Sequence, residues 1–232
     1  MGTVFSDLIK ASLMKSSSKK SAAQWLLSGF TAFTLTFSLA GCSQTAEENP
    51  ELEKTTDASL VETAEYVPAS ADGPAQNVPE PQLPISATEK SEAGAEATLK
   101  YFWEAIDYGR LTGDTTYAGL VSSESCDLCS DLISGWTRVY EEDSWAVLHG
   151  NMALEVQDLD ISTEADRGET IAGISFVMTE PAVDFYEIDG HLEDDSFDTE
   201  STADWWAELN FDETSERWKI EWIGVEDHLS ED

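Results

Sequence analysis

The sequence predicts an α+β domain, with N-terminal helices packed on a curved antiparallel sheet, behind a signal peptide and an acidic tether. Three observations predict it. Apolar residues recur every three to four positions between residues 85 and 141, then every second position from 145 onward. Seven of the eight tryptophans lie beyond residue 100, at 103, 136, 145, 205, 206, 218 and 222. Before them, prolines at 50, 68, 74, 79, 81 and 84 punctuate a stretch rich in Ala, Glu, Thr and Ser.

The helical part starts at Ser86-Ala87-Thr88-Glu89, which has the spacing of a capping box. Ala95, Leu99, Phe102 and Ile106 then form one apolar stripe, ending near Gly109. Leu111 to Asp114 reads as a turn, Thr115 to Val121 as a short helix, and Ser122 to Ser125 as a cap. A third helix is predicted over Asp127 to Glu141, with Leu128, Leu132, Ile133 and Trp136 inward.

After Glu142 the period becomes two. Strands are predicted over 145–149, 152–161 and 170–179, broken at Pro181, and over 182–188. An acidic loop runs from Asp189 to Ser201. Two more strands follow around Trp205–Phe211 and Trp218–Trp222, joined by a turn at Asp212–Ser215. Sequential strands with short connections favour an antiparallel meander. The predicted divisions are a signal segment over 1–41, a disordered tether over 42–84, the domain over 85–228 and an acidic tail over 229–232.

The first twenty residues hold Lys10, Lys15, Lys19 and Lys20 against a single acid, Asp7. An uncharged run follows from Ala22 to Ala40. This order is that of a secretory signal peptide. Leu39-Ala40-Gly41-Cys42 closes the run and resembles the bacterial lipobox. The resemblance implies that the Cys42 sulfur takes diacylglycerol, that the chain is cut before it, and that acyl chains fasten the protein to the outer face of a cell membrane. The segment beyond Gly41 holds 8 of the 12 basic and 46 of the 47 acidic residues. So acidic a chain repels nucleic acid and keeps an exported protein soluble.

Ala97 to Gly109, "ATLKYFWEAIDYG", and Gly113 to Cys129, "GDTTYAGLVSSESCDLC", carry a second resemblance. They are similar to an uncharacterised lipoprotein family of high-GC Gram-positive bacteria. The element order resembles the nuclear transport factor two-like superfamily, a cone of curved sheet closed by helices. The resemblance implies the cone fold and a lipoprotein signal, and no catalytic residues.

Cys126 and Cys129 form a C-x-x-C pair outside the cytosol. Glu124, Asp127 and Asp131 surround it and favour thiol over thiolate, against a working redox centre. The reading favours a structural disulfide, contributing about 2 kcal/mol for so short a loop. Thiol exchange is the alternative. His149, His191 and His228 lie in no nucleophile motif, and their spacing gives no support to a metal site. Glu187, Asp189, Glu193, Asp194, Asp195, Asp198 and Glu200 form an acidic cluster that fits no EF-hand spacing.

Tyr101, Trp103, Tyr108, Tyr117, Trp136, Trp205 and Trp206 are the candidates to line a ligand pocket. Asp107, Asp114 and Asp204 border aromatic residues and are the candidate general bases. No cofactor motif is present. The leading expectation is a non-enzymatic domain that binds an envelope ligand or protein; a small cone-fold isomerase or hydrolase is the alternative.

Overall fold

The computed structural model describes residues 64–163, 168–192 and 196–226. The signal segment, Cys42, the acidic tail, His228 and the loop acids Glu193, Asp194 and Asp195 lie outside the described residues.

The helices come first, as the apolar spacing predicts. Residues Ile85–Thr88 form a single 3₁₀ turn. Helix α1 spans Glu92–Thr112, α2 Thr116–Gly119 and α3 Asp127–Glu141. The cap of α1 is Ser91, whose hydroxyl accepts from Gly94 N–H, and not the box at Ser86. Helix α1 also runs past Gly109, the predicted stop. Gly109 stays helical; a Cβ there would come within 2.8 Å of the Thr115 methyl, so the glycine lets the next segment close in. The stop falls at Gly113, which adopts φ +78°. A Cβ on Gly113 would lie 2.6 Å from Tyr140 Cβ. Gly113→Ala is therefore expected to cost about 2–3 kcal/mol, from the left-handed backbone and the clash together. Urea denaturation checks it.

Among the described residues seven strands follow: β1 Ser144–Leu148, β2 Ala153–Thr163, β3 Thr170–Glu180, β4 Val183–Glu187, β5 Gly190–His191, β6 Ser201–Asp212 and β7 Arg217–Val225. All named pairings are antiparallel. They form two sheets, one ordered β1-β4-β5 and one ordered β2-β3-β6-β7. The simple meander is thus interrupted. β1 pairs with β4, not β2, and β3 crosses to β6. Pro181, which has no N–H to give a ladder, ends β3 and passes the chain to the second sheet. Register shifts at Val156/Asp158 and Glu208/Leu209 mark irregularities in the larger sheet.

The core lies between α1, α3 and the inward face of the larger sheet. β3 alternates without a break: Ala172, Ile174, Phe176 and Met178 are buried. β6 supplies Trp205, Ala207, Leu209 and Phe211; β7 supplies Trp218, Ile220, Ile223 and Val225. Helix α1 answers with Leu99, Phe102 and Ile106. Residues 121–123 add to the edge of β7, with Ile220 N–H donating to Val121 O and Ser123 N–H to Ile220 O.

Residues 64–84 correct the predicted tether. They are ordered against the domain. Val67 pairs with Gln76 and Ser70 with Gly73, making a tight arm. Trp145 Nε1–H donates to Ser70 O at 2.7 Å, Pro81 is buried, and Leu83 packs on the core. The stretch has no core of its own; it borrows the domain's, which composition alone does not reveal.

Candidate functional site

On α1, Trp103, Asp107 and Arg110 stand four and then three residues apart, so they share one face. The polar atoms of Asp107 and Arg110 form a seam between α1, α3 and the end of β3, with Trp103 a turn earlier on the same face of α1. The Arg110 guanidinium pairs with Glu180, with both side chains under 10% exposed (7% and 9%). Its Nη1 lies 3.6 Å from Asp107 Oδ1. Its plane covers the Trp136 ring at 5.3 Å. Trp136 in turn stacks on Phe185 at 5.7 Å, and Tyr140 O–H donates to Arg110 O at 2.7 Å. The cation is thereby held from three elements.

Three buried atoms on this face of α1 have no hydrogen-bond partner: Trp103 Nε1, Asp107 Oδ1 and Arg110 Nε. Two are donors and one is a carboxylate oxygen. Unmet polar groups in a native interior mark a place for water or a ligand. The Asp107 side chain, 30% exposed, is the seam's contact with solvent. Burial raises the Asp107 pKa; Arg110 opposes the rise, while Glu180 and Glu104 add to it. A carboxyl whose folded pKa is raised contributes stability below its unfolded pKa, near about 4, and loses it as pH rises through the folded value. Asp107→Asn should therefore stabilise the fold at neutral pH, with the gain fading toward about pH 4. Urea midpoints at the two pH values test the sign.

The seven aromatic candidates fall in four places. Trp103 meets Trp205 edge-on at 5.5 Å, and Trp205 stacks on Phe176 at 6.2 Å; with Tyr101 these are buried core. Trp136 belongs to the seam. Tyr108 and Tyr117 pair edge-on at 5.3 Å, and a hydrogen bond to Glu80 is the main reason the Tyr117 pKa is pushed up to about 12. Trp206 points to the opposite face of the sheet from Trp205. Of the three candidate bases only Asp107 is recessed. Asp114 is exposed and its Oδ1 accepts from Thr116 N–H, a turn role; Asp204 is exposed on the outer sheet face.

Cys126 and Cys129 are joined as a disulfide. Cys126 is the N-cap of α3, its sulfur accepting from Cys129 N–H. With residue exposures of 1% and 0%, neither sulfur offers itself to an attacking thiolate.

The histidines hold a surprise that spacing concealed. His149 Nε2 lies 2.7 Å from one oxygen of Asp184, and His191 Nε2 lies 3.4 Å from the other. The hydrogen bond from His149 is the chief cause of a lowered Asp184 pKa. Ser196 Oγ also lies 3.0 Å from His191 Nε2. It is no nucleophile arrangement: the serine donates to Leu192 O and accepts from Phe185 N–H, and one imidazole nitrogen faces both partners. Among the described residues no group of three or more His, Cys, Asp or Glu side chains is placed to hold a metal ion.

The fold and seam define an α+β domain with a buried polar cluster beneath antiparallel sheets. The chain belongs to the Family of unknown function (DUF6318), whose model matches residues 64–222. That match begins where the ordered arm begins. No curated protein matches. Among solved structures, the crystal structure of the intermembrane space region of chloroplast protein ARC6 is similar over 58% of this chain and 95% of that chain, at 10% identity and a TM-score of 0.36. A likeness that slight carries no argument about this chain.

Proposed function

We propose that this protein is a lipoprotein fastened by Cys42 to the outer face of a bacterial cell membrane, and that its domain, of the nuclear transport factor two-like cone type, binds a small polar ligand at the Trp103–Asp107–Arg110 seam. The lipobox-like Leu39-Ala40-Gly41-Cys42 after an uncharged run supports the anchor. Among the described residues no helix is long and apolar enough to cross a membrane. The observation that carries the binding reading is the set of three orphaned buried atoms beside an ion pair. Two N–H donors and one carboxyl with a raised pKa on one face of α1 suit a ligand offering a carbonyl or carboxylate acceptor next to a polar group that can pair with Asp107.

Two experiments test it. Radiolabelled palmitate should enter the wild-type protein and fail to enter Cys42→Ser. A crystal structure of protein purified from membranes should carry non-protein density bonded to Trp103 Nε1 and Arg110 Nε. A seam closed by direct protein–protein hydrogen bonds overturns the binding reading.

One observation favours a second reading, a small enzyme with a carboxylate general base. Burial gives Asp107 the raised pKa that such a base needs. Turnover that vanishes in Asp107→Asn while ligand affinity persists would select it.

A further inference from the structure

A different surface, the solvent face of the larger sheet, carries two tryptophans that the core does not use. Strand alternation puts Trp205, Ala207 and Leu209 inward, and Asp204, Trp206 and Glu208 outward. Trp206 stands opposite Ser175 on β3 and Gly224 on β7; Trp222 stands opposite Glu208. Each indole lies across a glycine. A Cβ on Gly173 would come within 2.6 Å of two six-membered-ring atoms of Trp206, and one on Gly224 within 2.9 Å of two such atoms of Trp222. The glycines thus leave the space in which the rings lie down on the sheet. Trp222 stays 36% exposed and Trp206 is half-buried.

The surroundings of these rings are acidic. Glu155, Asp158, Asp160, Asp204 and Glu208 are all exposed and share this face by register. Asp160 Oδ1 reaches to 3.5 Å from the point where a Gly173 Cβ would stand, so it lies within about 6 Å of the Trp206 ring. The bases Arg217 and Lys219 sit toward the far end of β7, opposite Asp212 and Asn210. A second copy of this chain would bring carboxylates against carboxylates and is disfavoured.

We infer that this face docks a basic segment of a partner protein, with arginine or lysine side chains laid over Trp206 and Trp222 and their charges met by the flanking carboxylates. A cation over an indole face gains from the ring quadrupole, and arginine also stacks on it. The two glycines flank β6 and stand opposite positions two residues apart along it, Glu208 and Trp206, so the rings are roughly 12 Å apart. In an extended peptide, residues four apart point to the same side and span about 13 Å, close to that separation. The preferred segment therefore carries two basic residues separated by three others.

The probe is a synthetic hexapeptide with arginines four residues apart, titrated by calorimetry into the full chain at low and at physiological salt. Trp206→Ala and Trp222→Ala leave the net charge of −35 unchanged, so diffuse attraction to an acidic protein is held constant. Each should weaken binding about threefold, and the pair about tenfold. Asp160→Asn, an exposed change that keeps both rings, should weaken it as well. Asp189→Asn, on the hairpin of the other sheet, should not. Equal affinity for wild type and both tryptophan variants would mean that charge alone holds the peptide, and the inference fails. It fails also if the hexapeptide does not bind while a neutral chitooligosaccharide binds wild type and not Trp206→Ala, for the face would then be a sugar platform. Circular dichroism of each variant guards against loss of fold.

Discussion

Arg110→Ala is expected to lower the unfolding free energy by about 3–5 kcal/mol, among the largest effects of any single change in the domain. The guanidinium is the counter-charge for Glu180, and it stands 3.6 Å from Asp107, so its loss leaves two acids in one seam without a cation. It also uncovers the Trp136 ring. Urea denaturation at neutral pH reads the loss directly. Replacing both members, as Arg110→Met with Glu180→Leu, should recover most of it, because an apolar pair of similar volume carries no desolvation penalty. A single-variant loss below about 1 kcal/mol would show that water reaches the pair and screens it.

Trp218→Ala should be about as damaging, costing about 4–5 kcal/mol. Trp218 is fully buried on β7 and meets Phe211 edge-on at 5.4 Å. Its Nε1–H donates to Glu89 O at 2.8 Å. That carbonyl is a knot: it also accepts from Ser91 N–H, and a Cβ on Gly94 would sit 1.9 Å from it. The indole therefore fixes the entry of α1 onto the sheet. Trp218→Phe keeps the ring and removes only the donor, so about 1–2 kcal/mol is expected. Thermal and urea unfolding of the two variants separate packing from the hydrogen bond. Equal losses would mean that the knot, not the ring, matters.

Much of the secondary structure was legible in the sequence. The predicted bounds of α3, Asp127–Glu141, are those observed, because its apolar stripe and Cys126 cap leave no competing start. The strands were legible for the same reason: period two survives wherever one face is buried. What escaped were choices made by tertiary contact. Ser86 has the spacing of a cap, but Ser91 wins, since Gly94 can approach Glu89 O and no larger residue can. The strand order escaped because pairing of β1 with β4 is decided by Pro181 breaking a long strand, not by sequence proximity.

The seam was half legible. Asp107 drew notice from its aromatic neighbours. Glu180 did not, although it continues the inward set Ala172, Ile174, Phe176, Met178 by the same alternation. An acid on an inward face requires a buried cation, and Arg110, seven residues beyond Trp103, was the one within reach of that helix face. The meeting of His149 and His191 on Asp184 had no local signal, for it joins the end of β1 to strand β5, over forty residues away.

The arm over residues 64–84 has a consequence for how this protein can be cut down. A fragment starting at Ile85 would strip the Trp145 indole of its acceptor, remove the Glu80 partner of Tyr117 and bare the surface that Pro81 covers. Such a truncation should show a lowered melting temperature and heightened self-association. The smallest stable unit accordingly keeps the Val67–Gln76 pairing and the Pro81 contact together with the helices and sheets.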